Sequence, residues 1–146
     1  MTIITDSDLW DFHRVENFIV IIPTNLATDN VGSAIMGAGL ALQLKKRVPG
    51  VERELGKKIR INKEDGMYCI DEDRVRAMPT KYAPGDKESS LELIERGLWW
   101  LKAEAGEWTE KNYILPKIGT GCGKLPWEMI EPMTEMLEEN VWLVTR

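Results

Sequence analysis

The feature that most constrains the fold is an unbroken run of five apolar residues, Phe18 to Ile22. Four of the five are β-branched, which favours a strand. The run lacks the alternation expected of a strand with one face in water. Such a strand must be covered on both sides, and we predict that Pro23 ends it. The sequence therefore predicts a sheet that lies between two layers of helices.

Further predicted strands and helices alternate along the chain. The other predicted strands are Val75–Met78, Tyr113–Leu115 and Val141–Val144, with a hairpin of Lys58–Asn62 and Met67–Asp71 around Asp65-Gly66. Two predicted helices cover Leu40–Val48 and Val51–Lys58. A third begins at a capping box formed by Ser89 and Glu92, and a fourth runs from Pro126 to Glu139. Side chains assigned to core or helix packing include Trp99, Trp100 and Trp108. This order predicts an α/β protein, a three-layer α/β/α fold with a mixed central sheet.

Length and composition exclude several classes of protein. The 146 residues contain no internal repeat and no low-complexity linker, so we expect one domain over residues 1–146. The net charge of −5 disfavours unspecific DNA binding. One His and two Cys are too few for the usual zinc site, and we expect no metal and no cofactor. No apolar run spans a membrane and no signal peptide is recognisable, so we expect a cytoplasmic protein without membrane contact.

Two glycine-rich loops, each between a predicted strand and a predicted helix, point to a ligand. They are Met36–Gly39 and Gly119–Gly123. Glycine lets backbone approach a ligand closely, and a helix N-terminus attracts anions. Two such loops favour a diphosphate ligand over turns that only pack. Leu125 replaces the Ser/Thr of a P-loop and Leu42 the third glycine of a dinucleotide fingerprint, so ATP hydrolysis and hydride transfer are disfavoured.

Single residues carry weaker signals when they are taken by position alone. Lys81 follows a predicted strand, where a desolvated lysine can be a nucleophile or stabilise charge, although a solvated lysine is commoner. Cys122 is best explained as a small loop residue, and Asp8 as a helix-capping or surface group. Eight basic residues lie from Lys45 to Lys63, a segment that suits a polyanion or forms a solvated helical face.

Four segments are similar to those of one family: Ser7–Leu9, Ile21–Asn25, Met36–Ala41 and Leu115–Glu128. Through them the chain resembles a macrodomain, the ADP-ribose-binding fold, over nearly its whole length. Ser7–Leu9 resembles the segment that holds the adenine, and Ile21–Asn25 resembles the strand whose final Asn contacts the distal ribose. Met36–Ala41 and Leu115–Glu128 resemble the first and second phosphate loops, each with the start of its helix. These four segments imply a site that binds the whole of ADP-ribose.

Two segments, Met78–Lys81 followed by Ser90–Leu98, carry a more particular resemblance. It is to the branch that contains the antitoxin that removes ADP-ribose from DNA, and the terminal ADP-ribose protein glycohydrolase. In that branch the lysine at the position of Lys81 is catalytic. The loop between Asn25 and Met36 is longer than in those relatives, as in macrodomain-like proteins of phage origin.

The resemblance implies a role for each matching residue. Lys81 would be catalytic, Asp8 would accept a hydrogen bond from the adenine amino group, and Asn25 would bind the distal ribose. The full set of implied ligand-binding residues is Asp8, Leu9, Asn25, Met36, Gly37, Ala38, Gly39, Leu40, Thr80, Gly119, Thr120, Gly121, Cys122 and Gly123. No metal is implied, because backbone N–H groups and a helix dipole serve the phosphates.

The implied activity is hydrolysis of ADP-ribosyl conjugates, on nucleic acid or protein, at C1″ of the distal ribose. Gly123 stands where the protein glycohydrolase has an aspartate, so a non-catalytic reader or sponge of ADP-ribose or a related signalling nucleotide stays open. An ADP-ribose 1″-phosphate phosphatase is a third alternative. The expected partner is ADP-ribose or an ADP-ribosylated macromolecule, with DNA contact through the Lys45–Lys63 segment, and we expect a monomer.

Overall fold

The computed structural model describes residues 1–85, 87–121 and 123–145. Within these ranges, six strands form one sheet in the order β1-β6-β5-β2-β4-β3. They are β1 (Thr2–Ile4), β2 (Phe18–Asn25), β3 (Tyr68–Ile70), β4 (Val75–Lys81), β5 (Asn112–Leu115) and β6 (Val141–Val144). The β3–β4 pair is antiparallel and the other pairs are parallel, which confirms the predicted mixed sheet.

Helices cover both faces of this sheet. They are α1 (Gly39–Arg47), α2 (Val51–Ile61), α3 (Leu91–Glu107) and α4 (Trp127–Ile130), with 3-10 helices at Leu9–Phe12 and Glu131–Thr134. Val20 of β2 packs in one hydrophobic cluster with α1 and α2, whereas its neighbour Ile21 packs in a second cluster with α3. The central strand is therefore buried on both faces, and the predicted three-layer α/β/α architecture is confirmed.

The predicted strand Lys58–Asn62, and the hairpin around Asp65-Gly66, are wrong. Helix α2 continues to Ile61, and Asn62 ends it by donating its N–H to the carbonyl oxygen of Lys58. The β-branched Ile59 favours a strand locally. However, Ile59 is buried at helical spacing from Leu55 against the sheet, and this tertiary burial outweighs local propensity.

Two prolines lie inside strands that they were predicted to end. Pro23 of β2 is in register with Met78, and Pro79 of β4 is in register with Thr24. Each proline is close to the end of its strand, where one missing N–H is tolerated. Both strands therefore run three residues further than the predicted ends Ile22 and Met78, to Asn25 and Lys81, with a register shift between Thr24 and Asn25.

The second half of the chain departs from the prediction in three places. The cap of α3 is Ser90, whose Oγ accepts the N–H of Leu93 at 3.2 Å, and not Ser89. Helix α4 ends at Ile130 instead of Glu139, because Pro132 lacks an N–H and its ring blocks a regular helix. The assignment of three tryptophans to the core is also wrong, since the exposed fractions are 53%, 42% and 50% at Trp99, Trp100 and Trp108.

Helix length and composition bear on membrane contact as well. None of the helices in the described part of the chain has the length and apolar character that a bilayer crossing requires.

Candidate functional site

A cavity of about 490 Å³ lies at the carboxyl edge of the sheet, between the two glycine loops. A second cavity, of about 450 Å³, adjoins it and reaches Asp8 and Leu9. The two share their lining at Leu40, Pro116, Lys117 and Gly121. Together they form one cleft, which extends from Asp8 at one end to Lys81 at the other.

The first glycine loop leads into the N-terminus of α1. Gly37, Ala38, Gly39 and Leu40 line the cavity. Ala38 caps α1 without a side-chain hydrogen bond, so the first N–H groups of the helix lie at the cleft without a side-chain acceptor. Such N–H groups, with the positive end of the helix dipole, favour an anion. Met36 is only 2% exposed, and its side chain packs in the core beneath the loop.

The second glycine loop lies on the opposite wall. Gly119, Gly121 and Gly123 line the first cavity, and Thr120 lines the second. The hydroxyl of Thr120 donates to the carbonyl oxygen of Lys117 at 2.7 Å, which braces the loop. Cys122, which the sequence assigned to ligand binding, lies outside the described residues.

Gly37 and Gly121 are glycines whose presence the surrounding protein does not explain. A Cβ built at either position meets no described atom within 4 Å, and neither residue has a left-handed φ. Both line the cleft. Close approach of a ligand to the backbone is a physical reason for glycine at such positions.

Lys81 and Asn25 lie side by side at the ends of β4 and β2, where they are Cα partners. The Nζ of Lys81 donates to the carbonyl oxygen of Gly85 at 3.0 Å. Asn25 donates from Nδ2 to the carbonyl oxygen of Ile35 and accepts the N–H of Ala27 at Oδ1, both at 2.9 Å. Asn25 therefore holds the loop that borders the cavity, and its amide carries a second N–H for a ligand.

Asp8 lies at the far end of the cleft and caps the first 3-10 helix. Its Oδ1 accepts the N–H of Trp10 at 3.2 Å, and its own N–H donates to Oδ2 of Asp11 at 2.8 Å. The capping role that its position alone predicted is confirmed. The indole N–H of Trp10 donates to Oε1 of Gln43 at 2.6 Å, and Gln43 lines the first cavity.

Thiol and phenol groups with large pKa shifts lie outside the lining of both cavities. Burial raises the pKa of Tyr68 to about 12, and burial with a hydrogen bond to Asp73 raises the pKa of Cys69 to about 11. Both residues belong to β3, the edge strand. In the described part of the chain, no group of three His, Cys, Asp or Glu side chains is arranged to hold a metal ion.

The cleft also contains residues that the sequence analysis did not single out as ligand-binding. Among them are Thr24, Gln43, Ser89 and Lys117. Thr24 precedes Asn25, and Lys117 precedes the second glycine loop, so their proximity to these motifs is a usable signal. Ser89 offers no such signal, because its place before a helix predicts a cap instead.

Known proteins are similar to this chain in sequence and in fold. No family model matches the chain. The chain is 28% identical over 112 residues to the human ADP-ribose glycohydrolase OARD1, and this alignment covers 71% of this chain and 67% of that protein. It superposes on the macrodomain of Thermus aquaticus DarG with a TM-score of 0.74 and 23% identity, covering 99% of this chain and 97% of the other. Thermosipho africanus DarTG in complex with ADP-ribose gives a TM-score of 0.74 and 21% identity, covering 98% of this chain and 41% of that one.

Proposed function

We propose that this chain, which has the macrodomain fold, binds ADP-ribose in the cleft and hydrolyses ADP-ribosyl conjugates. The resemblance predicted from the sequence motifs is confirmed at the level of the fold. Support for the ligand comes from the Thermosipho africanus relative, which was solved in complex with ADP-ribose. Support for the reaction comes from the human relative, an ADP-ribose glycohydrolase.

The course of the cleft is the observation that carries this proposal. ADP-ribose is a linear ligand with adenine at one end, a diphosphate in the middle and a ribose at the other end. In the proposed pose the adenine lies at Asp8, and the diphosphate lies between Gly37 and Gly121. The distal ribose then lies at Asn25 and Lys81. Backbone N–H groups and the α1 dipole neutralise the diphosphate, which fits a protein of net charge −5.

Lys81 is the proposed catalytic residue. Attack of its Nζ on C1″ forms a nitrogen–carbon bond as the bond from C1″ to the nucleobase or acyl oxygen breaks, and the amine proton passes to the leaving group. Water then releases ADP-ribose and restores the lysine. In the alternative role, the ammonium group stabilises charge that develops in the transition state. Either role requires Lys81 to face C1″, and its position beside Asn25 supports both.

Release of ADP-ribose tests the proposal. The substrates are an oligonucleotide that is ADP-ribosylated on a base and a protein that is ADP-ribosylated on glutamate, with the product measured by chromatography. We expect Lys81→Ala to lower the rate by about 100-fold or more. The matched control is Lys87→Ala, which removes an exposed lysine from the segment that follows β4 and should keep the parent rate. Turnover that is unchanged in Lys81→Ala would remove Lys81 from the mechanism.

A second substitution separates the two roles of the lysine. Lys81→Arg keeps a positive charge but removes the nucleophilic amine. A rate close to that of the parent supports charge stabilisation, whereas a loss as large as that of Lys81→Ala supports nucleophilic attack.

Gly123 favours a second candidate, a non-catalytic reader or sponge of ADP-ribose or a related nucleotide. A Cβ at this position would lie 2.1 Å from Oγ of Ser89 and 2.5 Å from the carbonyl oxygen of Gly119, so the loop has no room for an aspartate. Calorimetry distinguishes the candidates, because tight binding of ADP-ribose without turnover of any conjugate favours the reader. Release of phosphate from ADP-ribose 1″-phosphate would instead favour the phosphatase.

A further inference from the structure

We infer that Ser89 contacts the ligand, and that its hydroxyl hydrogen-bonds to the distal ribose when ADP-ribose binds. This inference rests on the proposed function. Ser89 is 7% exposed and lines the first cavity. Its Oγ has no hydrogen-bond partner among the described residues. Because buried hydroxyls are nearly always paired, an unpaired one beside a cavity requires an explanation.

Helix capping does not explain this hydroxyl. The neighbouring Ser90, and not Ser89, caps α3 through its side chain. The segment is fixed by its backbone, since the N–H of Ser89 donates to the carbonyl oxygen of Gly123 at 2.9 Å and that of Ser90 donates to Thr80 at 2.7 Å. Both bonds leave the hydroxyl of Ser89 unused.

The location of Ser89 identifies the part of the ligand that it would contact. The N–H of Ser89 donates to the second glycine loop, and that of the adjacent Ser90 donates to Thr80 of the strand that carries Lys81. Ser89, Asn25 and Lys81 line only the first cavity, away from the end that reaches Asp8. With the adenine at Asp8, a linear ligand therefore brings its distal ribose to this end.

The chemistry of the two groups is complementary. Ribose hydroxyls and serine hydroxyls each donate and accept hydrogen bonds. Thr24, on β2, also lines this cavity. Its buried hydroxyl likewise has no hydrogen-bond partner among the described residues. Since the hydroxyl of Ser89 makes no hydrogen bond to the described residues, rotation to another staggered rotamer breaks none of their hydrogen bonds.

Two adjacent serines provide a matched test. Binding of ADP-ribose and of ADP, which lacks the distal ribose, is measured by calorimetry, and the melting temperature of each free protein is measured alongside. We expect Ser89→Ala to lower the affinity for ADP-ribose about three- to tenfold, with no change for ADP. Its melting temperature should be unchanged or higher, because an unpaired buried hydroxyl is removed.

The control Ser90→Ala should behave in the opposite way. It removes the cap of α3, so the melting temperature should fall, while the ratio of the two affinities stays at the parent value. A Ser89→Ala variant that loses stability as Ser90→Ala does and keeps this ratio would overturn the inference.

The remaining outcomes separate the inference from the proposed function. If the parent binds ADP-ribose and Ser89→Ala binds it equally well, the inference alone fails. An equal loss for ADP-ribose and ADP would place the hydroxyl on the diphosphate and overturn its assignment to the ribose. If the parent does not bind ADP-ribose, the proposed function fails and the inference fails with it.

Discussion

Replacing Gly37 or Gly121 by alanine should separate ligand binding from stability. Neither position has a left-handed φ, and a Cβ at either would meet no described atom within 4 Å. An alanine that fits without strain stabilises a protein by about 0.4–1 kcal/mol, because it restricts the unfolded chain. For a chain of this size that corresponds to a rise in melting temperature of about 1–4 °C.

The same methyl group should weaken binding, because it occupies the cleft where the diphosphate is proposed to lie against the backbone. Forcing an extra methyl group into a packed contact costs about 1–3 kcal/mol, which is about a 5- to 150-fold loss of affinity for ADP-ribose. Calorimetry gives the affinity, and thermal unfolding of the free variants gives the stability.

A glycine outside the cleft supplies the control for this experiment. Gly106 lies in α3, where the nearest described atom to an added Cβ is Oε1 of Glu138 at 3.9 Å. Gly106→Ala should raise the melting temperature to a similar extent and leave the affinity unchanged. If Gly37→Ala and Gly121→Ala both bind ADP-ribose as the parent does, the two loops do not hold the ligand and the proposed pose is refuted.

Three further predictions concern the second loop, the basic segment and the half-buried thiol of Cys69. Gly123→Asp should lower both the melting temperature and the affinity for ADP-ribose without raising turnover, since its Cβ would clash with Oγ of Ser89; faster turnover would contradict this. Replacing Lys45, Lys46 and Arg47 by glutamate should weaken activity on DNA conjugates but leave binding of free ADP-ribose unchanged. Equal effects on both would argue against a DNA surface. Burial raises the pKa of Cys69 to about 11, so little of its thiol is ionised at pH 8. In a variant whose other cysteine is replaced by serine, iodoacetamide at pH 8 should react on the order of 100-fold more slowly with the folded protein than with the protein unfolded in urea. Similar rates for the two states would refute this.

The layers of the fold could be predicted because they depend on local patterns of apolar residues. Phe18–Ile22 has no polar side to expose, so helices on both faces follow from burial alone. The strand ends could not be predicted in the same way, because a proline is normally a sign that a strand stops. Pro23 and Pro79 are tolerated within β2 and β4 because each lies close to the end of its strand, where one missing N–H can be accommodated. The prediction therefore stopped three residues short of Asn25 and Lys81.

The two serines before α3 illustrate why residues of the candidate site are harder to predict than its motifs. Either Ser89 or Ser90 satisfies the local pattern of a helix cap, and sequence spacing favours Ser89 because Glu92 follows three residues later. The choice is made by tertiary contacts, since Gly123 and Thr80 accept the two N–H groups and thereby fix which serine side chain points along the helix. Thr80 belongs to β4 and Gly123 to a loop that is more than 30 residues further along the chain. A position whose role depends on both can be assigned only once the sheet edge and the glycine loop have been brought together.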